Sequence, residues 1–150
     1  MAKRLSNRIA ISGAMRRVSD AEYTTLAEFR STLRHFLKVS EVLARTCGLT
    51  PQQHQALLAI KGFRAADHPS ISQLADSLHI RHNSAVGLVD RLAKRRLVRR
   101  MSSDKDHRRI QIVLTRRAED VLEQLTRAHR VELLQVGPQI AALLRRLGRR

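Results

Sequence analysis

Residues 71–115, ISQLADSLHIRHNSAVGLVDRLAKRRLVRRMSSDKDHRRIQIVLT, constrain the fold more than any other part of the chain. The apolar positions Leu74, Ala75, Leu78 and Ile80 continue, across a break, into Ala85, Leu88, Val89 and Leu92. Helical spacing on both sides predicts two helices sharing one small core. The other face of the second helix carries His82, Asn83, Val86, Gly87, Asp90, Arg91 and Lys94, rich in hydrogen-bonding groups and flanked by arginine. This is a helix-turn-helix arrangement, in which the second helix enters a DNA major groove. The period then changes. Leu97 to Met101 predicts a strand, Ser102 to Arg109 a polar turn and Ile110 to Leu114 a second strand. Together they form an antiparallel hairpin, or wing, whose tip SSDKDHRR is too charged to be core.

Long amphipathic segments flank this reader. Ser19 and Glu22 form a capping box, and a helix over Asp20–Thr46 carries Leu26, Phe29, Leu33, Phe36, Leu37, Val39, Val42 and Leu43 at threes and fours. Such a helix spans ~40 Å at 1.5 Å per residue, more than a small core can cover. Part of its stripe is therefore expected against a second copy of the chain. Gly48 ends it, and Thr50, Pro51 and Gln53 supply an N-cap, N1 and N3 for a helix to Lys61 that buries Ala56, Leu57 and Ile60. A polar loop over 64–70 follows, with Ser70–Ile71 as a minimal strand and Ser72 as the cap of the next helix. After the wing, Thr115 caps a third long helix, which Gly137-Pro138 is expected to break before a short helix over Ile140–Leu147.

The formal net charge is +16, from 29 Lys and Arg against 13 Asp and Glu. A surplus of that size repels itself in a compact state, so a polyanionic partner is the physical reason to carry it. Nucleic acid is the first candidate, an anionic membrane surface the second, and a merely basic, soluble surface the bland reading. No apolar run approaches the length of a membrane span, and the lone Cys47 fits a reducing cytoplasm. The basic start, residues 1–18, reads as an arm that touches phosphate or a second subunit, or as a tail without a role. The chain lacks a C-x-x-C pair and a glycine-rich phosphate loop, and its histidines are scattered singly. Neither an enzyme, a metal site nor a cofactor is expected.

The order of elements and three segments resemble the MarR family of transcription regulators: GLTPQQHQALLAIKG at 48–62, SISQLADSLHIRHNSAVGLVDRLAKRRLVRR at 70–100 and DKDHRRIQIVLT at 104–115. The resemblance runs from about Leu26 to the end. It implies a mainly α fold with a small β-hairpin, the winged helix-turn-helix lobe lying between N- and C-terminal dimerisation helices. In these terms residues 1–18 are the arm, 19–47 a dimerisation helix, 48–115 the DNA-binding domain and 116–150 the C-terminal dimerisation helices. The implied partners are double-stranded DNA with a pseudo-palindromic operator, a second copy of the chain, and a small-molecule effector held between the dimer helices and the winged lobe. The family's wing-tip arginine, which reaches the minor groove, falls on Arg109.

This chain also departs from the pattern. His107 stands where the family has an aspartate, with Asp104 or Asp106 as substitutes for it in orienting the arginines, or else with a looser wing. His79 and Arg96 stand where glycines are common, which implies positive φ at a cost of ~1 kcal/mol each. Gly87 offers no side chain to a base, while Val86 can touch a thymine methyl.

The candidate DNA contacts are Arg81, His82, Asn83, Ser84, Val86, Gly87, Arg91, Lys94, Arg99, Lys105, Arg108 and Arg109, joined by Arg95 and Arg100 beside them. The competing reading of the arginines is a solvated cationic face. Asp90 is expected to orient an arginine rather than meet a phosphate. Phe29, His35, Phe36 and His54 are candidates for the effector pocket, with ordinary core packing as the alternative. Cys47 reads as a structural thiol. The function expected is a homodimeric, sequence-specific regulator, a repressor by preference. The alternative is a nonspecific basic or architectural nucleic-acid-binding protein.

Overall fold

The computed structural model describes residues 17–63, 68–102 and 110–148. Within them lie α1 (Asp20–Thr46), α2 (Pro51–Lys61), α3 (Ile71–Leu78), α4 (His82–Lys94), β1 (Val98–Ser102), β2 (Ile110–Leu114) and α5 (Arg116–Gly148). Residues 1–16 of the arm expected over 1–18, and residues 103–109 of the polar turn expected over 102–109, lie outside the described residues.

Three helices start the same way. Ser19, Thr50 and Ser70 each accept a hydrogen bond from the amide three residues on, while Glu22, Gln53 and Gln73 reach back to the cap amide. The third box corrects the expectation at Ser72. A reciprocal cap needs Glu or Gln at N3, and Ser70 has Gln73 there while Ser72 has only Ala75. The minimal strand expected at 70–71 is absent for the same reason. What remains of it is one bond from Ile112 N to the Pro69 carbonyl at 2.9 Å.

Three helices also end alike. Gly48, His79 and Arg96 have φ of 71°, 54° and 57°. In each case the next residue donates back across the turn: Leu49 to Ala44, Ile80 to Ala75 and Leu97 to Leu92, at 2.9–3.0 Å. An apolar residue follows each left-handed position and packs inward, as a Schellman-type end requires. Two of the three positions are not glycine, so that strain, ~1 kcal/mol each, is offset by the core the following residue enters.

The core is one cluster. Leu57 and Ile60 of α2, Leu74 of α3, Leu88, Val89 and Leu92 of α4, Ile112 and Leu114 of β2, and Leu122 and Leu125 of α5 all belong to it. At ~1.5–3 kcal/mol for a buried aliphatic side chain, these contacts fix how the helix-turn-helix sits on the long helices. The antiparallel hairpin pairs Val98 with Leu114 and Arg100 with Ile112. This register buries Val98, Ile112 and Leu114 and leaves Arg99 and Arg100 outside.

Helices α1 and α5 run antiparallel: Glu28 meets Arg146 at 3.0 Å, His35 meets Glu132 at 3.8 Å and Ser40 meets His129 at 2.7 Å. The expected break at Gly137-Pro138 does not occur, and α5 is continuous from Arg116 to Gly148. Val136 before the proline and Leu143 after it are both buried, which holds one axis through the missing hydrogen bond. The carbonyl that Pro138 leaves without an amide partner belongs to Leu134, which is 69% exposed, so water can satisfy it. The C-terminal pair of helices expected over 116–150 is thus a single helix.

Candidate nucleic-acid interface

Helix α4 buries Ala85, Leu88, Val89 and Leu92, and so turns the rest of its circumference outward. Arg81, His82, Asn83, Ser84, Arg91 and Lys94 are exposed, with Val86, Gly87 and Asp90 half-buried between them. Most of the expected contacts are therefore brought onto one accessible surface. Arg81 occupies the N-cap without a side-chain cap bond, so its guanidinium is not used to close the helix. The ring of His82 sits beside the Ser72 hydroxyl at 3.3 Å, an arrangement available because Ser72 is not capping α3.

The arginines divide by partner. Arg95 donates to Gln53 Oε1 at 2.8 Å and so ties the end of α4 to the start of α2. Gln53 is buried and accepts from the Thr50 amide through the same oxygen. Arg95 is thus a brace between helices, not one of the groups standing clear as expected. Arg100 pairs with Asp90 at 2.5 Å, so Asp90 orients an arginine across the junction of α4 and β1. Among the described residues, Arg91, Lys94 and Arg99 are exposed and make no ion pair. Lys105, Arg108 and Arg109 lie outside the described residues.

Sequence reasoning missed Gln52. It stands at the second position of α2 and, with Ile80, Asn83, Ser84, Gly87, Leu88 and Arg91, lines a notch of about 340 Å3 on the outer face of α4. The signal was present, since the capping box uses Gln53 and leaves its neighbour unengaged. Only the packing of α2 against α4 shows where that neighbour lands.

Of the four residues expected near an effector, two meet on one ring and two stand apart. Phe36 meets the His129 ring edge-on at 6.2 Å, and His54 stacks on the same ring at 4.8 Å. His129 was not singled out by the sequence; it is the centre of this group. Its Nδ1 lies 2.7 Å from the Leu125 carbonyl, an acceptor only, so Nδ1 carries the proton. Nε2 lies 2.7 Å from the Ser40 hydroxyl. Burial, and next the charge His129 would carry, push the His54 pKa below its ordinary 6.5. Phe29 is half-buried on α1, and His35 is exposed beside Glu132.

A cleft of about 590 Å3 lies elsewhere, between the end of α2 and the first half of α5, with Leu58 and Leu122 as its apolar lining. Lys61 and Glu119 close one side at 2.6 Å, and that ion pair holds the Glu119 carboxyl below its usual range. Cys47 is half-buried and packs against the core. Among the described residues no three His, Cys, Asp or Glu side chains stand together as metal ligands would, and no helix is long and apolar enough to cross a membrane.

Residues 48–109 match the model of the MarR family. No curated protein sequence matches the chain. Among solved structures, AbsC, a MarR family transcriptional regulator from Streptomyces coelicolor, aligns at a TM-score of 0.66 and 20% identity over 81% of both chains. A MepR variant from S. aureus, bound to an oligodeoxyribonucleotide, aligns at 0.63 and 20% identity over 83% of this chain and 94% of its own. CouR from Rhodococcus jostii, bound to p-coumaroyl-CoA, aligns at 0.66 and 18% identity over 84% of this chain and 93% of its own. Over residues 48–109 the chain is thus similar to the MarR family, and its fold is that of solved MarR family regulators.

Proposed function

We propose that the chain is a homodimeric, sequence-specific DNA-binding transcriptional regulator that acts in the cytoplasm as a repressor and is released by a small-molecule effector. The observation that carries this reading is the outer face of α4. Six exposed polar or basic side chains from Arg81 to Lys94 stand there on a helix whose other side is locked into the core. Arg91 and Lys94 make no ion pair among the described residues, so they are available to DNA. In this account residues 48–115 read DNA, with α4 in the major groove, Arg99 on phosphate, and Lys105, Arg108 and Arg109 of the wing at phosphate and minor groove. Helices α1 and α5 join two copies, so that the half-sites of a pseudo-palindromic operator lie ~34 Å or a multiple apart.

The oligonucleotide on the MepR variant and the p-coumaroyl-CoA on CouR support the two ligand classes on this fold. For the effector, the half-buried Phe36, packed on the buried His54–His129 ring pair, with Phe29 and His35 on the neighbouring turns of α1, marks the place where the winged lobe meets the long helices.

A second reading, a nonspecific basic nucleic-acid-binding protein, is favoured by the net charge of +16 and by the missing side chain at Gly87. Competition between a selected duplex and random duplex separates the two. The regulator reading expects a preference of ~10³ or more at moderate salt, and a ratio well below that favours the second. Raising salt should weaken binding to both duplexes, since phosphate contacts supply the common part of the affinity.

A further inference from the structure

Gly87 lies in the middle of α4, where glycine is the least favourable residue short of proline. Nothing among the described residues calls for it. Its backbone is not left-handed, and a Cβ built there meets only the tip of the Arg91 side chain, Nη1, at 3.4 Å. That tip belongs to a long, exposed side chain that can move aside. The room is therefore kept for something outside the chain. It forms the floor of the notch of about 340 Å3 on the outer face of α4, walled by Asn83, Ser84 and Arg91 and by Gln52 from α2.

We propose that Gly87 is a specificity-determining position, where a base edge comes against the bare helix backbone and Arg91, folded over the notch, reads that edge. The inference rests on α4 being the groove helix. Side chains on a helix lean toward its N-terminus, which is why Arg91 reaches back over the residue one turn before it. A guanidinium has donors only, so it matches an edge that offers two acceptors side by side. In the major groove that edge is guanine, through N7 and O6. A side chain at position 87 would hold the base away from the backbone and displace the fork that reads it. On this account the glycine is not an empty reading position. Its lack of a side chain is what lets the duplex approach.

Two variants of the full-length chain test this, Gly87→Ala and Arg91→Ala, each measured for thermal unfolding and for binding. The duplexes are a selected site, its single-base substitutions and a random sequence. Gly87→Ala is expected to raise Tm by ~2–4 °C, as an alanine in a helix interior should for a chain of this size. It is also expected to weaken the selected site by about tenfold or more while leaving random duplex nearly unchanged. Arg91→Ala should cost about tenfold of discrimination at one guanine. If Gly87→Ala binds the site as tightly as the native chain while Arg91→Ala still loses the guanine, the slot at Gly87 is overturned and α4 keeps its place in the groove. If Arg91→Ala weakens every sequence equally, Arg91 is a phosphate ligand and its reading role is overturned. A fall in Tm for Gly87→Ala would show that the fold itself needs the glycine, which also contradicts the proposal. Unchanged binding in both variants would remove α4 from the groove and take the regulator reading with it.

Discussion

His54 and His129 show how a single residue can carry a pH dependence into the fold. His54 is buried, stacked on His129, and its pKa lies below 6.5 because burial and then the neighbouring ring disfavour its charge. In the unfolded chain it titrates near the ordinary value. Above that value both states are neutral and stability is flat; as pH falls through about 6.5 the unfolded chain takes up a proton that the folded chain resists. Stability is therefore expected to fall with pH below 6.5. His54→Gln should reduce that slope when unfolding is followed in denaturant across pH 5–8, and an unchanged slope would remove His54 as its source. At this scale the sequence was partly legible. His79 and Arg96 were expected at positive φ, and both are. Asp90 was expected to orient an arginine, and it meets Arg100. His129 was not legible, because a lone histidine on an amphipathic helix carries no sign of the ring stacked on it from another element.

At the scale of elements, α1 and α5 leave apolar surface uncovered. The side of α1 turned into the chain holds Thr25, Thr32 and Ala44, with both hydroxyls bonded back to carbonyls of the preceding turn. Leu26, Leu33 and Leu37 stay outside along one stripe, Leu37 at 55% exposure. On α5, Leu133, Leu144 and Leu147 line up in the same way. Two such stripes on long helices fit a self-complementary contact between two copies. Leu37→Asp combined with Leu144→Asp should convert a species of twice the chain mass into one of single mass in analytical ultracentrifugation. A native chain that sediments as a single copy across micromolar concentrations would contradict the dimer. Periodicity and capping residues made the starts of α1 and α2, and the span of α4, legible to within a residue. Two boundaries were not. Ser72 looked like a cap because it precedes an apolar run, but Ser70 has the glutamine partner at the right distance. Pro138 looked like a helix end, but Val136 and Leu143 hold the helix through it, which is a tertiary effect that local sequence does not show.

At the scale of the molecule, the core ties the reader to the long helices, since Leu122 and Leu125 of α5 pack in the same cluster as Leu88 and Leu92 of α4. In the proposed dimer, a change in how two copies set their α1 and α5 helices would therefore move the two α4 helices relative to each other. This is the physical route by which an effector near Phe36, His54 and His129 would alter half-site spacing. The winged fold was legible because its two periods, helical and then alternating, sit side by side in residues 71–115. The exposed face of α4 was legible as a list of residues but not as a shape. Gln52 enters it from another helix, Arg95 leaves it to brace Gln53, and Gly87 marks a notch rather than a gap.

In the proposed function, two copies of this domain read one symmetric site. Selection of bound duplexes from a random pool by the native chain tests it most directly. The account predicts an enriched motif with dyad symmetry and half-site centres one helical turn, ~10 base pairs, or a multiple apart. A pool that stays without a motif, or that yields a single asymmetric half-site, would contradict it.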